Sequence, residues 1–69
     1  MTIYQKVKTA CMIEGKTLTE VAKEFGSSQQ TFSQRLQTGK FTQEELERIF
    51  SIIGCKYISY VELSDGKRL

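Results

Sequence analysis

Between residues 25 and 43 the chain carries no carboxylate. Amides and hydroxyls stand there instead: Ser28, Gln29, Gln30, Thr31, Ser33, Gln34, Gln37 and Thr38, with the cations Arg35 and Lys40. An amide offers both a donor and an acceptor, and a hydroxyl can serve as either. Such a set suits hydrogen bonding to a patterned polar surface, and the missing carboxylates let it approach an anion without repulsion. A neutral, solvated helix face would have the same composition, so charge alone does not decide between the two. Covalent chemistry is a poorer match. Histidine is absent, which excludes Ser–His and Cys–His nucleophiles. Cys11 and Cys55 are too few to hold a structural zinc ion. The carboxylates have other work, Glu20 and Glu45 as helix caps and Glu14, Glu24, Glu44 and Glu47 as solvated helix residues. No paired acid–base constellation and no phosphate-cradling glycine motif stands out. The expectation is a chain that is not an enzyme, with no catalytic residue, no metal, no cofactor and no small-molecule ligand in evidence.

The elements that must position these side chains are marked by regular punctuation. Gly15, Gly26, Gly39 and Gly54 each follow a helical pattern, where a left-handed residue ends a helix. Before each pattern stands a hydroxyl residue with Glu or Gln three places on: Thr2 with Gln5, Thr17 with Glu20, Ser27 with Gln30, and Thr42 with Glu45. That is the capping-box spacing, which satisfies two orphan backbone donors reciprocally. The helices are therefore expected at about 2–14, 18–25, 28–38 and 42–53. Their apolar stripes are Ile3, Val7, Ala10 and Cys11; Leu18, Val21, Ala22 and Phe25; Phe32 and Leu36; and Leu46, Ile49, Phe50 and Ile53. Phe41, just before the cap Thr42, is placed to staple against Leu46. At 69 residues and 39% hydrophobic content this is one small globular domain, of a size that is marginal without a partner or a cross-link.

The third helix is the unusual one. Phe32 and Leu36 fix its buried side and everything else points outward. A surface helix of a small domain ordinarily carries Glu and Lys for solubility; this one carries four Gln and a single Arg. A Gln amide can bond an adenine edge twice, and a helix about 10 Å across fits a major groove about 12 Å wide. Ala22, four residues before Gly26, lets a second helix cross closely, and Gly26 permits a tight turn. A short helix, a glycine turn and a second helix with a polar outer face describe a helix-turn-helix.

Over VAKEFGSSQQTFSQRLQTGK the chain resembles the phage-repressor type of helix-turn-helix, the Cro/C1-type or Xre family. The resemblance extends over residues 2–54 and is strongest over 18–40, where Ala22, Gly26 and Ser28 to Thr31 stand at motif positions. It implies a mainly α, four-helix DNA-binding domain over 1–54. It also implies sequence-specific binding of double-stranded DNA as a small repressor-like transcription regulator. In similar lambdoid repressors a Gln pair opening the recognition helix touches base edges; Gln29 and Gln30 match it, Gln34 matches a later base contact, and Ser33 shares that face. Lys40 matches a basic residue that contacts phosphate. Ser28, Thr31, Arg35, Gln37 and Thr38 are further phosphate candidates.

After Gly54 the pattern changes. CKYISYVEL is rich in Tyr, Ile and Val and reads as a β-strand over about 55–63. Ser64-Asp65-Gly66-Lys67 then suits a two-residue hairpin turn with both central residues at positive φ. Residues 55–69 are thus expected as a C-terminal strand or short hairpin, resembling Cro-type proteins and small Xre regulators that end in a strand. Both faces of the strand carry large apolar groups, which makes Tyr57, Ile58, Tyr60 and Val61 candidates for a homodimer surface. Cover within the monomer, by the first and fourth helices, is the other possibility. A dimer would read a palindromic operator. The alternative function is a protein-interaction module on the same fold, antitoxin-like or antirepressor-like, which the modest net charge of +2 and the tyrosine-bearing strand favour. No apolar run approaches the ~20 residues of a membrane span and the first residues do not read as a signal peptide. The expected location is the cytoplasm, at the nucleoid if the source is bacterial. Cys11 and Cys55 could form one disulfide, but such a setting and their hydrophobic neighbours favour two small reduced thiols.

Overall fold

The computed structural model describes residues 1–58 and 63–67. Four helices follow one another: α1 (Ile3–Glu14), α2 (Leu18–Phe25), α3 (Gln29–Thr38) and α4 (Gln43–Ile53). α2 packs against both α3 and α4, and α1 against the same two helices.

The helix starts follow the hydroxyl caps, with one correction. Thr2 with Gln5 and Thr42 with Glu45 form complete capping boxes. Thr17 accepts from the Glu20 N–H, but its hydroxyl rather than its backbone meets the Glu20 carboxylate, at 3.1 Å. Ser27 does not cap α3 as its spacing with Gln30 suggests. The cap is Ser28, in extended backbone, whose hydroxyl oxygen accepts from the Thr31 N–H at 3.2 Å. The reason lies in the preceding helix. α2 ends on Gly26 at φ +90°, and the Ser27 N–H donates to Ala22 O at 2.9 Å to close that end. The Ser27 backbone is thereby committed to ending one helix and cannot also begin the next.

The expected stripes make the core. Val7, Cys11, Val21, Ala22, Phe32, Leu36, Leu46, Ile49, Phe50 and Ile53 are buried, with Ile3, Tyr4, Ala10, Leu18, Phe25, Phe41 and Tyr57 half-buried around them. Phe41 packs with Phe25 and Phe32 in a cluster of three rings, the centroids 5.6, 6.0 and 6.2 Å apart. Tilted and edge-on geometries like these are the favourable ones for aromatic pairs. The cluster joins α2, α3 and the loop before α4 at one point, which holds the α2–α3 corner rigid. Arg48 closes it from outside: its guanidinium lies 4.9 Å from the Phe25 ring and donates to Phe25 O at 3.2 Å. A cation at the last carbonyl of a helix also meets the negative end of its dipole.

The C-terminal expectation needs correction. No strand occurs among the described residues. Cys55–Ile58 leave α4 without strand pairing, and the expected positions 59–62, which include Tyr60 and Val61, lie outside the described residues. A β pattern specifies side chains suited to a pleat but supplies no partner for the backbone, and no second strand stands ready among the described residues. The segment turns inward instead: the Cys55 N–H donates to Phe50 O at 2.7 Å, and Tyr57 stacks on Phe50 with centroids 5.1 Å apart. The turn beyond is also of another type. Leu63 O accepts from the Gly66 N–H at 2.9 Å and the Leu63 N–H donates to Lys67 O at 2.6 Å. That is a three-residue loop with only Gly66 at positive φ, whereas the two-residue form would need Asp65 there too.

Candidate nucleic-acid interface

α3 is held by two side chains. Phe32 and Leu36 are 0% and 1% exposed. Burying each contributes roughly 1.5–3 kcal/mol, so the pair suffices to seat a ten-residue helix. Seating it this way turns every glutamine outward. Gln29, Gln30, Gln34 and Gln37 are exposed, as are Ser28, Thr31, Thr38 and Lys40; Ser33 and Arg35 are half-buried. The first turn of α3 carries no acid, so its free N–H groups and its amides meet solvent without a competing negative charge. Gly39, at φ +68°, ends the helix with its N–H on Arg35 O, and Lys40 follows at once with its side chain in solvent.

Among the expected site residues, Ser28 donates to the Thr31 hydroxyl and Thr38 to Arg35 O, each at 3.0 Å within α3 and its cap, while two reach across to other elements. Arg35 is folded onto the α3–α4 corner. Its guanidinium donates to Glu45 Oε2 at 2.9 Å and to Lys40 O at 3.2 Å, and lies 4.4 Å from the Phe41 ring centroid. It braces the turn, which weakens its case as a phosphate ligand. Glu45 on the other side carries a depressed pKa, chiefly because its carboxylate accepts from the Thr42 N–H and then because Arg35 bonds it. Gln29 is the second: its Oε1 accepts from the Thr19 hydroxyl of α2 at 2.8 Å. Gln30, Gln34 and Gln37 have no side-chain partner among the described residues.

The structure adds Thr19 and Arg48, which spacing did not single out, and gives the expected cap Glu45 a second partner. Thr19, Glu45 and Arg48 touch partners ten, ten and twenty-three positions away. No period reveals such pairs; only the crossing of the helices creates them.

The proposed dimer residues divide. Tyr57 is half-buried on Phe50 of its own chain, Ile58 is 69% exposed, and the other two lie outside the described residues. A second apolar surface lies on α1. Met12 and Ile13 are 79% and 75% exposed. Beside Ile13 an open hollow of 260 Å³ is lined by Met1, Lys6, Thr9, Ala10, Glu14 and Cys55. Both cysteines are free thiols. Burial, the neighbouring Cys55 and Glu20 raise the pKa of Cys11 above 9.0, so its sulfur stays protonated at neutral pH and is a poor nucleophile. Among the described residues no group of His, Cys, Asp and Glu is placed to hold a metal ion. Among the described residues no helix is long and apolar enough to cross a membrane.

Comparison of the chain with protein-family models, with curated proteins and with solved structures gives no match.

Proposed function

We propose that this chain binds double-stranded DNA in a sequence-specific manner, with α3 in the major groove and α2–α3 acting as a helix-turn-helix. The observation that carries the reading is the division of α3 itself. Its two apolar side chains are fully buried, while its four glutamines stand outward on a stretch free of carboxylates. Gln29, Gln30 and Gln34 then meet base edges, with Ser33 on the same face. Ser28, Thr31, Gln37, Thr38 and Lys40 lie nearer the phosphates, where backbone N–H groups at the helix start add to them. The resemblance of residues 18–40 to the Cro/C1-type family supports the same assignment.

One such unit reads only a few base pairs. A homodimer with two recognition helices about 34 Å apart would read a palindrome and act as a small repressor-like regulator at cytoplasmic DNA. The exposed Ile58 supports a surface for the second copy. Selection from random duplexes by the full chain tests the reading, scored for a preferred sequence and its half-site spacing. The expected result is a palindrome whose binding weakens steeply with salt. Recovery of no sequence preference rejects it. Sedimentation at micromolar concentration checks the dimer; a monomer without DNA counts against it.

The exposed α1 surface favours a second reading, a module that docks on another protein through Met12 and Ile13. It predicts partner binding that barely responds to salt and no retention of random duplex DNA even at low salt.

A further inference from the structure

We propose that the α1 face around Ala10 is a self-recognition surface, on which a second copy of this chain packs its own α1 antiparallel. The face borders the open 260 Å³ hollow, whose lining includes Lys6, Ala10, Ile13, Glu14 and Cys55. At about 100° per residue, Lys6 and Glu14 lie within about 40° of Ala10 around the helix, with Ile13 beside them. Lys6, Ile13 and Glu14 are exposed and Ala10 is half-buried. Met12 is equally exposed, but it stands about 160° around the helix from Ala10 and does not line the hollow. This surface serves the homodimer proposed above whether or not α3 reads DNA.

The placement of charge is what points to a second copy. Lys6 stands four residues before Ala10 and Glu14 four residues after it, on the same side of α1. Among the described residues neither has an ionic partner. Glu14 is also the last residue of α1, at the negative end of the helix dipole, and no cation occupies that turn. A two-fold axis through Ala10 turns α1 end for end, which sets Lys6 of each copy against Glu14 of the other. Symmetry makes two such ion pairs, about 12 Å apart along the helices, and each brings an ammonium group to a helix end that lacks one. The contact is isologous, the same patch serving both copies. The small side chain of Ala10 at the centre lets the two helices approach closely. Ile13 of each copy then lies over the hollow of the other. Apolar surface withdrawn from water supplies the attraction, and the exposed charges set the direction. A parallel copy would put Lys6 against Lys6, and a partner charged with one sign would repel either Lys6 or Glu14.

Sedimentation of the full chain without DNA, over a range of micromolar concentrations, tests this. The natural chain is expected to dimerise. Lys6→Glu and Glu14→Lys each set like charges together at both contacts and are expected to weaken the dimer by roughly tenfold. Mixing these two variants is expected to restore a dimer with one copy of each, because every reversed charge then faces its opposite. A chain carrying both changes is expected to pair with itself for the same reason. Ile13→Asp is expected to abolish pairing and Met12→Asp to leave it unchanged. Unfolding midpoints matching that of the natural chain, read at a dilution where it is monomeric, show that the variants are folded. A natural chain that stays monomeric overturns the proposal and leaves the face to a different protein. A dimer that both charge reversals or Ile13→Asp leave intact also overturns it and places the contact elsewhere, as at Ile58. So does a loss that neither the mixture nor the double change recovers, or an equal loss from Met12→Asp. None of these results touches α3, and the duplex selection described above judges the DNA reading separately.

Discussion

α3 and α4 are nearly equal in length, ten and eleven residues, but they use their polar side chains in opposite ways. α4 buries Leu46, Ile49, Phe50 and Ile53 and turns much of its charge back onto the chain. Glu45 caps its own helix and holds Arg35, and Arg48 covers the end of α2. α3 buries two side chains and leaves three of its four glutamines without an internal partner among the described residues. One helix is occupied by the fold and the other is largely left over by it. Polar side chains that the fold does not use are the ones free to serve a partner, and on α3 three of them are glutamines.

The largest effect that sharpens this contrast is expected at Phe32. Phe32→Ala removes one of two anchors and one ring of the three-ring cluster, at a cost of about 3–5 kcal/mol. That is a large part of the stability of so small a domain, and loss of the cooperative unfolding transition by circular dichroism checks it. Gln30→Ala comes next. It is expected to reduce discrimination between matched and mismatched duplexes by about 1–3 kcal/mol, with a stability change within about 0.5 kcal/mol. Gln43→Ala on α4 is the control, and equal losses from both would erase the distinction between the helices. Lys40→Ala is expected to weaken every duplex alike and to lower the slope of log affinity against log salt by about 0.9, read from titrations at several salt concentrations.

The smallest effect belongs to α4. The depressed pKa of Glu45 means that its bonds to Thr42 and Arg35 stabilise the fold above the ordinary carboxylate value of 4.5. That contribution fades as pH falls below 4.5 through the depressed value. Glu45→Gln is expected to flatten the acid side of the stability curve measured by urea unfolding between pH 3 and 6, relative to the natural chain.

Much of this fold was legible because it is local. Capping at Thr2, Thr17 and Thr42 and termination at Gly15, Gly26, Gly39 and Gly54 depend on neighbours within a few residues. The stripes that became the core depend only on helical period. Ser27 misled because two helix ends compete for one residue, and spacing alone does not say which end takes it. The strand misled for a different reason: Tyr57 fits a pleat as well as it fits the Phe50 ring, and only the position of α4 decides between them. At the candidate site, the outward direction of the glutamines followed from the burial of Phe32 and Leu36. The withdrawal of Arg35 onto Glu45 and the tether on Gln29 did not, because both depend on partners brought close by helix crossing.

The bond from Arg35 to Lys40 O has one more consequence. It pins the main chain at Lys40, the exposed cation just past the end of α3, so that its charge swings from a fixed pivot. Adding one residue between Gly39 and Lys40 would part the Phe41 N–H from Gly39 O, now 3.0 Å away, and move the pivot. On the DNA reading proposed above, the cation would then face a different stretch of the groove wall.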